Sequence, residues 1–184
     1  MERRRIDVPT ALDSARRVVV AAGVHSGSIL RPFVPRVPLI AERGYHLQQS
    51  DPDWPADLPP LLFEEREVVV TRFHSFMRAT SFVEFSRPEA PPDPRKWARL
   101  RRHLSELGLP FRASATEWVG SRPTLPDYLP AIGRSKRDSR VFYAFGHQHL
   151  GLTLAAITGE LIAASMSGST APLDMAPFDL DRFD

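Results

Sequence analysis

Residues 146–153 read Gly-His-Gln-His-Leu-Gly-Leu-Thr, and several chemistries can be tested on that segment alone. The interval between Gly146 and Gly151 is that of a phosphate loop, but Leu152 stands where the phosphate-binding lysine must be, which excludes one. His147 and His149 alternate on an extended segment with no third ligand at metal spacing nearby, so they read as polar loop residues and not as a metal site. A loop that enters a helix has another use: its unpaired N–H groups and the positive helix end attract negative charge. Arg122 lies between Gly120-Ser121 and Pro123, which stiffens the backbone beside it. Its planar guanidinium can grip a carboxylate through two parallel hydrogen bonds, or form a surface ion pair. Tyr45, in Glu42-Arg-Gly-Tyr-His46, offers a phenol donor or ordinary buried packing. No Gly-x-Ser-x-Gly elbow occurs, and in Gly23-Val-His-Ser-Gly27 the serine sits next to a glycine at the wrong interval, which argues against a serine hydrolase. The absence of cysteine removes thiolate nucleophiles, disulfides and cysteine-ligated zinc.

The elements that must carry these groups lie between the 18 prolines, each of which fixes a backbone angle and removes a donor. A β-branched run from Arg17 into Ala21, Ala22 and Gly23 predicts a buried strand entering a glycine turn, with small residues that let a ligand approach the backbone. Strand-like runs at residues 44–49, 67–73 and 76–85 predict an antiparallel sheet, the last two forming a hairpin. Asp93 as N-cap, Pro94 in the first turn, Trp97, Leu100, Leu104 and Leu107 at helical spacing, and Gly108 then Pro110 as stops predict a helix that interrupts this run of strands. After a proline-punctuated loop from Ser121, a strand is expected at residues 141–145 and an apolar helix at about 152–166. That helix is expected to be buried all round. The tail from Ala171 shows no period.

With 42% hydrophobic and 25% charged residues over 184, the chain has the composition of an ordinary globular protein. Its formal charge of +2 makes the arginine groups at Arg3 to Arg5, Arg16 and Arg17, and Arg95 to Arg102 solvated local faces, so no nucleic-acid partner is expected. No apolar run reaches membrane-spanning length and the N-terminus has no signal-like core, which points to a cytoplasmic protein without a membrane span.

Four segments in order carry a resemblance: residues 18–26, residues 42–46, Gly120-Ser-Arg-Pro-Thr-Leu-Pro-Asp-Tyr-Leu-Pro-Ala-Ile-Gly133, and residues 146–153 continuing through Thr158-Gly-Glu160. Together they resemble the FAD-dependent D-amino-acid dehydrogenase and oxidase family, with bacterial dehydrogenases, including the hydroxy-D-proline type, the nearest in look. The resemblance implies an α+β fold: an antiparallel substrate-domain sheet (36–120) inserted into the C-terminal part of an FAD-binding α/β domain (1–35 and 121–184). It implies oxidative deamination of a D-amino or imino acid in amino-acid catabolism, by hydride transfer to FAD.

The resemblance also assigns residues. Arg122 would hold the substrate carboxylate, Tyr45 and His46 would line the substrate face, and Ala21, Ala22, Gly23, Arg43, Gly44, Gly133, Gly146, His147, Gln148, His149, Leu150, Gly151, Leu152 and Thr153 would surround the cofactor. A complete family member opens with a Gly-x-Gly-x-x-Gly turn for the pyrophosphate. None of the ten glycines here are two positions apart. The expectation is therefore a truncated or split subunit, its Gly-x-Gly-x-x-Gly half being a separate chain, a lost segment or removed by a gene truncation. A non-catalytic domain that binds a small carboxylate or a protein is the alternative.

Overall fold

A computed structural model describes residues 15–51 and 53–184; the Arg3 to Arg5 cluster lies outside them. The chain divides into two compact units, one formed by the residues up to Ala41 together with Arg122–Asp184 and the other by Glu42–Ser121.

In the first unit, three valines form β1 (Val18–Val20), which runs parallel to β8 (Val141–Phe145), with Val20 paired to Tyr143. β7 (Ala131–Arg134) lies antiparallel on the other side of β8. One face of this sheet packs Val20, Tyr143 and Phe145 against Leu30 of a short helix, α1 (Ser26–Leu30), and against Leu180 of the tail. Burial of this apolar surface, at about 25 cal/mol per Å2, holds the layers together. The aperiodic tail is thus docked, in two 3-10 turns at Ala176–Phe178 and Leu180–Phe183. The Tyr143 hydroxyl donates to Asp179 Oδ1 at 3.0 Å and accepts from the Leu180 N–H at 3.1 Å.

The second unit carries a five-stranded sheet ordered β3-β4-β5-β2-β6. Its strands are β2 (Ile40–Ser50), β3 (Leu61–Phe63), β4 (Val68–Arg72), β5 (Phe76–Ser86) and β6 (Thr116–Thr124). β4 and β5 form the expected antiparallel hairpin. The expected helix is α2 (Pro94–Glu106), with the Asp93 carboxylate accepting from the Arg95 N–H at 3.0 Å. Strand alternation splits the side chains. Tyr45, Leu47, Val68, Val70, Met77 and Ala79 pack under Trp97, Leu100 and Leu104 of α2, and the alternate residues face the other side. Phe82, at φ +65°, marks a shift in this alternation, because it and Glu84 both lie on the helix side.

Two expectations need correction. The segment from Ser121 is not a loop at its start: β6 continues through Pro123, which is tolerated because β6 is an edge strand and needs no amide there. β7 was likewise not foreseen. The apolar helix α3 (Ala155–Ser167) is buried on one side only, through Thr158, Leu161, Ile162 and Ala164, while Ala155, Ala156, Gly159, Glu160 and Ala163 are exposed. Alanine and glycine on the outer side account for the error, since they read as apolar without requiring burial. Leu152 precedes the helix and is 93% exposed.

Candidate cofactor and substrate site

Because β1 and β8 are parallel and Val20 pairs with Tyr143, Ala21–Gly23 and Gly146 leave the sheet side by side at its C-terminal edge. Ligands of α/β sheets bind at such an edge, where small residues and turns leave the backbone accessible. Ala21 and Ala22 are exposed, and Gly23 turns the chain at φ +56°. Ser26 Oγ accepts from the Ala22 N–H at 3.0 Å and fixes that turn.

The loop after β8 is built by two left-handed residues, Gly146 at φ +88° and Gln148 at φ +51°. Gly146 has no room for a side chain: an added Cβ would lie 2.8 Å from Leu125 Cδ1. Gln148 ties this loop to the segment that follows Arg122. Its backbone N–H donates to the Pro123 carbonyl at 3.2 Å, and its side-chain amide to the Tyr128 carbonyl at 2.7 Å. Within the first unit, residues 21–23, 123–128 and 146–153 therefore gather around one end of the sheet.

His147 contacts Thr158 of α3 at 3.0 Å through Nε2, and burial lowers its pKa, so it is a neutral anchor between loop and helix. His149 is exposed. Leu150, Gly151, Leu152 and Thr153 form exposed turns into α3, whose N-cap, Leu154, makes no side-chain capping bond. Among the described residues the N–H groups of Gly151, Leu152 and Thr153 have no backbone acceptor, unlike those of Leu150, Leu154 and Ala155. Three free donors at a helix start suit the carbonyl-rich, charge-accumulating ring of a flavin. A Cβ on Gly151 would meet only His147 Cβ, at 3.8 Å, so this glycine is not required by packing. Gly133 is, because an added Cβ would come within 2.7 Å of the Tyr143 hydroxyl. A polar cleft lined by Arg134, Lys136, Ser139, Ser165 and Asp179 opens at the other end of the sheet, away from these loops.

In the second unit, Tyr45 and Arg43 are not placed as the resemblance implied. Tyr45 is completely buried on the helix side of the sheet. Its hydroxyl donates to Glu84 Oε2 at 2.9 Å and accepts from Arg43 and from the Asp93 N–H at 3.1 Å each. Arg43 is buried too, paired with Glu84 at 3.2 Å and donating to the carbonyls of Ala90 and Pro91. A buried guanidinium must find such partners, and here they fix the loop ahead of α2 instead of reaching a ligand.

His46 points the opposite way, as strand alternation requires. It stacks on Trp118 at 4.5 Å with 15° between the rings, and burial, then the charge of Arg78, lowers its pKa to about 4. Gly44 shares its side of β2. Arg78 reaches Gln48 at 2.9 Å and lies over the rings of Phe73 and Phe76. Arg122, partly buried, follows Trp118 and Gly120 at every second position of β6. Trp118 escaped the sequence reading, although the spacing of Trp118, Gly120 and Arg122 along an extended run was the available signal.

The family model described as FAD dependent oxidoreductase matches residues 2–165. The chain belongs to this FAD-dependent oxidoreductase family. A D-amino-acid oxidase of Bradyrhizobium diazoefficiens is 35% identical over 170 residues, which make up 90% of this chain and 40% of that protein. Glycine oxidase from Geobacillus kaustophilus shares the fold with a TM-score of 0.72 at 20% identity, over 90% of this chain and 45% of the other. Iminodiacetate oxidase from Chelativorans sp. BNC1 does so with a TM-score of 0.68 at 21% identity, over 90% and 46%. The chain thus spans less than half the length of these relatives. Family membership makes FAD the cofactor to test against the site, and the small residues after β1 and the free donors before α3 fit it. No described helix is long and apolar enough to cross a membrane.

Proposed function

We propose that this chain forms the substrate sheet and the ring-side part of the flavin site in an FAD-dependent amino-acid oxidoreductase. The observation that carries the reading is the convergence of residues 21–23, 123–128 and 146–153 at the C-terminal edge of the parallel strands, in a family of FAD enzymes. When bound, FAD supplies the acceptor for the hydride that leaves the substrate α-carbon. The residues of this chain bind and orient. Arg122 holds the substrate carboxylate, the N–H groups of Gly151, Leu152 and Thr153 offset negative charge on the ring, and Ala21, Ala22 and Gly23 admit it closely.

The substrate is a D-amino or imino acid, a reading supported by the 35% identity to a D-amino-acid oxidase. Oxidation yields the imine, in amino-acid catabolism in the cytoplasm. The pyrophosphate end of FAD calls for a Gly-x-Gly-x-x-Gly turn, a motif that these 184 residues do not contain. The test is to offer glycine and both enantiomers of alanine and proline, without oxygen, to the flavin-loaded protein that contains this chain. Bleaching of the flavin by the D-series supports the reading, and bleaching by the L-series alone removes the D-specific part. An oxidised flavin throughout the series refutes it.

A further inference from the structure

Arg78, partly buried, lies on the side of the sheet away from α2, because its neighbours Met77 and Ala79 both pack under that helix. Its guanidinium sits over two rings, with Cζ 5.3 Å from the centroid of Phe73 and 5.5 Å from that of Phe76, and these rings stack on each other at 4.4 Å. Ring contact of this kind covers the face of a guanidinium and leaves its N–H edge for acceptors. That edge is mostly unused. Of the five N–H groups of an arginine, one at Nη2 donates to Gln48 Oε1 at 2.9 Å. Nε is buried without an acceptor, whereas Nη1 is not sealed from solvent. No carboxylate among the described residues pairs with Arg78. Its charge is, after burial, the second cause that holds the nearby His46 imidazole neutral. A partly buried cation whose donors lack acceptors is stabilised when an anion meets it.

We propose that Arg78, steadied by Gln48 and by the rings of Phe73 and Phe76, is a carboxylate-binding residue of the substrate sheet. Nη1 and Nη2 take the two oxygens of a small organic acid, whose apolar part packs on the Phe73 ring, 39% exposed. A planar carboxylate matches this fork, and the ring beside it favours an organic acid over an inorganic anion. Gln48 is a positioning residue. The inference rests on the reading of this sheet as the substrate sheet, and every residue it uses belongs to the unit Glu42–Ser121. The carboxylate has two sources: the α-carboxylate common to amino acids, or the second carboxylate of an acidic one.

The experiment is calorimetric titration of the flavin-loaded protein that contains this chain with benzoate, succinate and the neutral benzamide, for wild type, Arg78→Gln and Arg78→Lys. The expected result for Arg78→Gln is a carboxylate affinity weaker by about tenfold or more, the scale of charge-assisted hydrogen bonds, with benzamide unaffected. Arg78→Lys keeps the charge but not the fork, should lose an intermediate amount, and keeps the test open should Arg78→Gln not fold. Equal losses for benzoate and succinate identify the α-carboxylate as the group bound, and a loss confined to succinate identifies the second carboxylate. Carboxylate affinities within about twofold of wild type in the variants that fold would overturn the proposal, as would a wild type that binds neither acid. An equal loss for benzamide would overturn it too, as a structural effect. Arg78-dependent carboxylate binding in a protein whose flavin no amino acid reduces would sustain the site and overturn the amino-acid reading instead.

Discussion

The backbone N–H of Gln148 donates to the carbonyl of Pro123 at 3.2 Å, which joins the loop entering α3 to the residue that follows Arg122. The bond depends on left-handed backbone at Gly146 and Gln148. Gly146→Ala should strain the φ of +88° and push Leu125 aside, costing roughly 1–3 kcal/mol. Gly151→Ala, whose Cβ would make only an ordinary contact with His147 Cβ at 3.8 Å, should leave the melting temperature nearly unchanged. Thermal unfolding of the two variants checks the contrast, and equal losses would contradict it.

Tyr45→Phe should act on stability and not on turnover. It deprives Glu84 of a donor, and Arg43 and the Asp93 N–H of an acceptor, at a cost of roughly 1–3 kcal/mol. Denaturant unfolding should show the loss while kcat in the flavin-loaded protein stays within about twofold. A large fall in kcat with unchanged stability would return Tyr45 to the site.

His46 gives a pH dependence whose sign is fixed. Its pKa is about 4 in the fold against 6.5 for the free group, so between these values the unfolded chain binds more protons. The contribution is complete above pH 6.5 and is lost as the pH falls toward 4, by an amount on the order of 3 kcal/mol. His46→Phe keeps a ring to stack on Trp118 and should flatten this slope. The pKa values of His103 and His147 are lowered too, so a smaller acid slope should remain. Unfolding free energy measured across that window decides it, and identical slopes would refute the assignment.

Arg122→Lys should reduce kcat/KM for the amino acid by about tenfold or more, because an ammonium cannot reproduce a bidentate fork. An amine that lacks the carboxylate should be affected far less. Equal losses for both would place Arg122 outside the carboxylate contact.

Much of this architecture was legible in the sequence wherever a local rule and the tertiary context agreed. Asp93-Pro94 started α2 and the two β-branched runs formed the β4–β5 hairpin, because capping and alternation act over a few residues. The burial of α3 was misread because alanine and glycine do not reveal which side meets the core. Pro123 hid the continuation of β6, since only the sheet order shows that its missing N–H faces no neighbour. The small residues after β1 and the loop before α3, which the structure brings to one edge of the sheet, were recognisable by type and order. The inward turn of Tyr45 and Arg43 was not, because strand parity becomes readable only once it is known which face α2 covers. Trp118 was missed for the same reason.

The claim that this chain serves hydride transfer from an amino acid to FAD is tested most directly by rapid anaerobic mixing of the flavin-loaded protein with D-alanine carrying hydrogen or deuterium at the α-carbon. The account predicts that the flavin band bleaches with D-alanine and that deuterium slows the bleaching severalfold, as cleavage of the α-carbon bond requires. A flavin that stays oxidised, or one that bleaches at the same rate with both isotopes when reduction is the observed step, would contradict it.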